Sequence, residues 1–305
     1  MNIMGKNFIL LIFWLVSSAA LGQVDPLYSQ YLNNPFLINP AYTGMNKYFN
    51  IMVGYRNQWA GFDGSPTTVS VTAHLSLLNN VMGTGLIVSQ DKVGEYRNTL
   101  VQGTYAYRIN LQKHQLISFG LQAGIMNFRS DNTVLNPHDP GDPLFSGSQN
   151  ITKPTFGAGV IIKGDRLFAG LSVPRLIKTK ETFNNVGTEL YSQHFYGFVS
   201  YVFHITSVVR FKPGVLIRGV SGSPLSTDVN LQFSIDERYT VGALTRNLNT
   251  FGFLAKFKFA HYRLGYVFEL PTNNSVGTQF TTHDITFGIN VAIFNFHDVL
   301  EVSDY

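Results

Sequence analysis

The chain has 305 residues with 22 Lys plus Arg against 18 Asp plus Glu, a formal net charge of +4, and only 13% charged residues, about half the usual globular share of roughly a quarter. With 25 Phe, 15 Tyr, 28 Gly and no Cys, the composition argues against disorder, which needs few aromatics and many charges. The missing Cys excludes disulfides, Fe–S clusters, thiolate zinc sites, lipoprotein anchoring and cysteine nucleophiles. A small positive excess with no basic stretch sets nucleic acid aside as a partner.

Residues 1–22 read as an address. Met1 to Lys6 carries one positive charge, Phe8 to Val16 (FILLIFWLV) is apolar, and Ser17 to Gly22 is small. That layout predicts a secretory signal peptide cut before Gln23. The apolar run is too short for the ~20 residues of a membrane helix, and no later stretch approaches that length, so a helical membrane protein is excluded.

Residues 23–45 form a second unit. Asp25 to Gly44 reads DPLYSQYLNNPFLINPAYTG, with no two-fold pattern but many Tyr, Phe, Leu and Ile among its Pro and Asn. A linker would be more polar and less aromatic. The segment is expected to be buried, in or under the structure that follows. Two roles stay open for it, a plug and a partner-binding element.

From residue 46 to 305 the chain alternates at period two. Val69, Val71, Ala73, Leu75 and Leu77 alternate with Thr68, Ser70, Thr72, His74 and Ser76; 228–235 and 284–293 behave alike. These are strands with one apolar and one polar face. About fourteen are expected: 47–58, 66–77, 84–91, 95–108, 115–128, 154–163, 166–173, 191–204, 207–219, 226–235, 238–246, 250–259, 261–269 and 282–294. Joins after the even-numbered strands are short, whereas 129–153, 174–190 and 270–281 are long. Short turns at one end, longer loops at the other and an even count predict an all-β transmembrane antiparallel barrel, the long loops outside the cell and both termini periplasmic. A secreted β-sandwich also alternates. Aromatics near strand ends (Tyr48, Tyr55, Trp59, Tyr105, Tyr107, Tyr201, Phe203, Phe257, Phe259, Tyr262, Tyr266 and Phe268) favour the barrel, whose interfacial girdles use such residues.

Parity turns Arg56, Arg108, Arg210, Lys212, Arg218, Arg246, Lys256, Lys258 and Arg263 inward, with Asp228, Glu269 and Asp284 the clearest inward acids. This lumen either receives an acidic peptide or other anion, or simply houses charges that pair with nearby acids and water. Chemistry is scarce. The eight His make no paired ligand motif, Asp131, Asp139 and Asp142 lack calcium-loop spacing, and hydrolase, P-loop and dinucleotide signatures are missing. No catalytic, metal or cofactor-binding residues are expected, and the chain is expected not to be an enzyme. Val134, Leu135, Leu144 and Phe145 in the first long loop are apolar, which suits a contact surface for a partner or a cap folded back on the barrel.

One resemblance adds to this. Asp25-Pro26, Tyr28-Ser29-Gln30-Tyr31, Asn34-Pro35 and Ile38-Asn39-Pro40-Ala41-Tyr42-Thr43-Gly44, followed by Tyr55-Arg56-Asn57-Gln58-Trp59, resemble the PorP/SprF family; Thr43 stands where the family often has Ala. The resemblance implies an outer-membrane barrel of the type IX secretion system. It would serve secretion and surface attachment of a large partner, such as a gliding adhesin with a C-terminal sorting domain, alongside other type IX or gliding components. The same residues (Asp25, Pro26, Tyr28, Ser29, Gln30, Tyr31, Asn34, Pro35, Asn39, Pro40, Tyr55, Arg56, Gln58 and Trp59) become candidates for partner binding or the plug. A passive porin or solute transporter is the alternative the barrel itself allows.

Overall fold

A strand with one apolar face is stable in a membrane only when its backbone groups are all paired, which a sheet achieves by closing on itself. The computed structural model describes residues 29–111, 115–131, 148–177, 179–183, 186–221, 223–272 and 280–297, with backbone alone over 179–183 and 186–190. Its strands begin with β1 (Phe49–Ala60), β2 (Thr67–Leu77), β3 (Met82–Val93), β4 (Tyr96–Asn110), β5 (Leu116–Asp131) and β6 (Ser148–Lys163). After β7 (Leu167–Val173) comes a separate hairpin, β8 (Thr179–Phe183) with β9 (Val186–Tyr191). The ring continues through β10 (His194–Tyr201), β11 (Phe203–His204), β12 (Val209–Val220), β13 (Ser226–Ile235), β14 (Tyr239–Arg246), β15 (Thr250–Phe259), β16 (Tyr262–Pro271) and β17 (Thr281–Val291).

Every neighbouring pair is antiparallel. β10 pairs with β7 on one side and β12 on the other, and β1 pairs with β17, Ile51 opposite Ile289. The sheet therefore closes. β10 and β11 are two pieces of one stave interrupted at Val202, whose N–H donates to the Arg166 carbonyl, so the 15 paired segments make a 14-stave barrel.

The period-two pattern sorts the faces. On β2, Val69 and Val71 are 45% and 42% exposed while Ser70 and Thr72 are 2% and 0%. Phe119, Leu121 and Ile125 on β5, Leu231 and Phe233 on β13, and Ile285 and Phe287 on β17 project outward in the same way. An outward apolar belt with a polar interior is what hydrocarbon outside the barrel selects.

The first long connection is shorter than the sequence suggests. β5 runs to Asp131 and β6 starts at Ser148, each 16 residues long, about 50 Å of strand where a tilted crossing of a ~25 Å belt takes about 35 Å. Beyond the Ile125–Pro154 pair the outward positions include Asn127, Arg129, Asn150 and Thr152, which are polar. The β5–β6 hairpin thus rises past the belt, because polar outward residues no longer need lipid. The second connection carries the β8–β9 hairpin. Both, with the β16–β17 loop, stand at the long-loop end; β1 starts and β17 finishes at the short-turn end.

Candidate functional site

The segment before β1 lies inside the ring. Three short 3-10 turns, Ser29–Leu32, Pro35–Leu37 and Pro40–Tyr42, follow one another. Asn-Pro at 34–35 and 39–40 places Pro at the first position of two of them, where its fixed φ suits the turn and its missing N–H is not needed. Asn39 accepts from the Ala41 N–H at 2.9 Å and donates through Nδ2 to the carbonyls of Val160 (3.2 Å) and Leu171 (3.1 Å). It therefore caps a turn and ties it to β6 and β7 together.

A buried irregular segment must find partners for its backbone, and here inward side chains supply them. Ser172 donates to the Ile38 carbonyl at 2.6 Å, Ser118 to that of Ala41 at 2.7 Å and Arg108 to that of Thr43 at 2.7 Å. Lys256 donates to the Leu32 carbonyl. Side-chain pairs add Asn34 to Thr72 at 2.8 Å, Asn33 to Thr286 at 3.0 Å and Ser70 to Gln30 at 3.0 Å. The donors and acceptors come from strands all round the ring.

Apolar contacts complete the fit. Phe36, Ala41, Tyr42 and Met45 pack with Ile87, Ile161 and Phe168, while Tyr31, Leu32 and Ile38 pack with Tyr196, Leu216, Leu244, Leu254 and Val267. Those strand residues face inward against the polar rule of a water-filled lumen, since what they meet is protein. Two glycines make room. A Cβ at Gly120 would lie 2.1 Å from the Ala41 nitrogen, and one at Gly83 would lie 2.2 Å from the Thr43 oxygen. Burial, then the Asp228 carboxylate, push the Tyr31 phenol above its usual range, so it remains a neutral hydroxyl.

Toward the long-loop end the segment meets a buried ion cluster. Arg56 binds Glu269 at 2.8 Å and Asp284 at 3.3 Å; Arg246 binds Asp228 at 2.8 Å and Glu269 at 3.3 Å. The Ser29 hydroxyl donates to Glu269 and receives Arg246 at 3.1 Å. Two guanidiniums and three carboxylates nearly balance, and all five side chains are at most 7% exposed.

Below the segment, at the short-turn end, the lumen widens into a cavity of about 900 Å³ roofed by Leu32, Asn33, Tyr42 and Met45. Arg108, Arg210, Lys212, Lys256, Lys258 and Arg263 are among its walls, as inward parity predicts.

Of the residues singled out in the sequence, Ser29, Gln30, Tyr31, Asn34, Asn39, Pro40 and Arg56 are brought together in the lumen, all buried, with Pro35 half-buried beside them. Gln58 and Trp59 sit half-buried at a β1 bulge, where Trp59 takes φ 58° and its N–H donates to Thr282 at 3.3 Å. Tyr55 is not with them: 45% exposed, it points to lipid. Tyr48 is the reverse correction. Expected in a girdle, it is fully buried, its ring 5.6 Å from the Arg263 guanidinium and its hydroxyl bonded to it; the even parity that turns Arg56 inward applies to it too. Asp25, Pro26 and Tyr28, residues 1–22, and Val134, Leu135, Leu144 and Phe145 lie outside the described residues. Sequence reasoning missed Ser118, Ser172 and the inward glycines, whose signal is a small residue on the polar side of a strand. No group of metal ligands occurs among the described residues.

The family model described as type IX secretion system membrane protein PorP/SprF matches residues 20–289. Among solved structures the chain is similar to the Acinetobacter baumannii outer membrane protein Omp33, at 8% identity over 82% of this chain and 100% of that one, with a TM-score of 0.48. It is similar to the NanC porin at 10% identity over 80% of this chain and 100% of that one, TM-score 0.39, and to the KdgM porin at 8% identity over 79% and 99%, TM-score 0.38. No curated protein matches it.

Proposed function

We propose, from the premise that the chain belongs to the PorP/SprF family of type IX secretion system membrane proteins, that this outer-membrane barrel is a secretion and surface-attachment factor dedicated to one large exported protein. It holds that cargo, of which a gliding adhesin is one kind, through a C-terminal sorting domain, and acts by binding without catalysis. The observation that carries this reading is the filled lumen. A passive porin needs a continuous aqueous path, and here residues 29–48 bond to strands around the ring at mid-barrel.

In this reading residues 1–22 are a cleaved leader, the short turns and both termini are periplasmic, and the long loops face outward. The projecting β5–β6 hairpin and the β8–β9 hairpin present the binding surface, since loops on a rigid scaffold are where such surfaces are built. Val134, Leu135, Leu144 and Phe145 are its apolar candidates. Other type IX or gliding components meet the periplasmic end.

Two measurements test this. Reconstituted into planar bilayers, the barrel should show no steady conductance; a stable open current restores the porin. Deleting 132–147 should leave assembly normal but release the large cargo from the cell surface. Normal retention would move the docking role to 174–193 or 272–280.

A further inference from the structure

We infer that the cavity at the short-turn end is a receptor for a carboxylate-rich polypeptide segment that enters the barrel from that side. Among the described residues, nine Lys and Arg line it against two carboxylates, Asp165 and Glu237, a formal excess of seven. The whole chain carries only +4. The surplus of the protein is therefore gathered in one concavity, while the ion cluster deeper in the lumen holds two cations to three acids.

Local pairing does not remove this excess. Arg108 is held by neutral groups, the carbonyls of Asn80 (2.6 Å), Thr43 (2.7 Å) and Met82 (2.6 Å) and the Ser76 hydroxyl (3.0 Å). Arg263 bonds the Tyr48 hydroxyl and Lys256 the Leu32 carbonyl. Glu237 pairs with Arg210, and Asp236 with Arg238 at 3.5 Å at the rim. A concave wall of one sign over low-dielectric protein focuses its field on whatever enters.

The shape selects the class of ligand. The cavity is closed above by the inserted segment and open toward the turns, where Asn79, Leu111, Gly164 and Arg238 form its rim. Its cations are distributed over many strands and not converged on one point, which suits a chain bearing several carboxylates better than one compact anion. Lipid headgroups lie outside the barrel wall, on the opposite face of the same strands. The inference uses the cargo reading only to name the compartment, the periplasm; a cargo bound at the long-loop end neither requires nor forbids it.

The test uses the full chain in nonionic detergent micelles and a fluorescent peptide of alternating Glu and Ser, followed by anisotropy. The Glu peptide should bind and its Gln counterpart should not, and affinity should fall steeply between about 50 and about 200 mM salt. Lys47→Gln with Lys212→Gln and Lys258→Gln should weaken binding about tenfold or more, while Lys92→Gln with Arg97→Gln, at the long-loop end, should leave it unchanged. If the triple variant fails to assemble, Lys258→Glu alone should give the loss. Equal binding of the Gln peptide, equal loss in the long-loop-end variant, or displacement by pyrophosphate at the concentration of the peptide itself would each overturn the proposal, the last by making this a small-anion site.

Discussion

Glu269→Gln is the most informative single change, because one carboxylate serves three partners. Its Oε2 receives Arg56 at 2.8 Å, and its Oε1 receives Arg246 at 3.3 Å and the Ser29 hydroxyl. The amide keeps the shape but loses the charge and turns a donor toward a guanidinium. Arg56 is left with Asp284 at 3.3 Å, whereas Arg246 keeps close contact with Asp228 at 2.8 and 3.0 Å. Breaking a buried pair costs about 3–5 kcal/mol and a charge-assisted hydrogen bond is worth about 1.5–3 kcal/mol. With half of each arginine's partners retained, the loss should be about 3 kcal/mol. Ser29→Ala removes a single hydroxyl and should cost about 1 kcal/mol. The two share a partner, so the double variant should fall short of the sum by several tenths of a kcal/mol or more. Urea unfolding in detergent micelles, followed by Trp59 fluorescence, gives all three values. Full additivity, or a Ser29→Ala loss equal to that of Glu269→Gln, would refute the idea that the cluster anchors the inserted segment.

Other outcomes follow from the same geometry. Gly120→Val should displace the turn at Pro40–Tyr42 and expose residues 29–48 to protease, the ring itself still assembling, as seen by gel mobility without boiling. Deleting residues 29–44 should open the lumen and produce a steady current in planar bilayers where the intact chain gives none. Leu231→Arg, mid-strand on the lipid face, should cost about 2–4 kcal/mol in vesicle-based unfolding, while Ser234→Arg on the inner face should cost far less.

Strand positions and faces were legible because a period of two survives in any single strand: 226–235 and 250–259 match β13 and β15 end to end. Loop limits were less so. β5 and β6 continue past the belt on backbone pairing alone, from Ile125↔Pro154 to Asp131↔Ser148, and pairing leaves no hydrophobic mark where both faces are wet. The inserted segment announced itself by composition, but its seat did not. Inward Ile87, Ile161, Leu244 and Val267 are single apolar side chains on the inner face, each with a glycine two positions before it and a polar residue two positions after, and they become meaningful only when the residue opposite them across the lumen is known.

Parity says which charges face inward, and position along a strand says at what height, a step the alternation alone does not take. Arg56, Arg246, Asp228, Glu269 and Asp284 all lie near strand ends that lead into the long-loop side, so acids and bases gather there at one level and neutralise one another. Lys212, Lys258, Arg263 and Arg108 lie near the opposite ends of their strands, where inward acids are scarce. The inserted segment separates the two levels. A lumen in which charge merely went where lipid was absent would mix both signs along its length; this one balances its charge where the segment is anchored and accumulates it where the barrel is open.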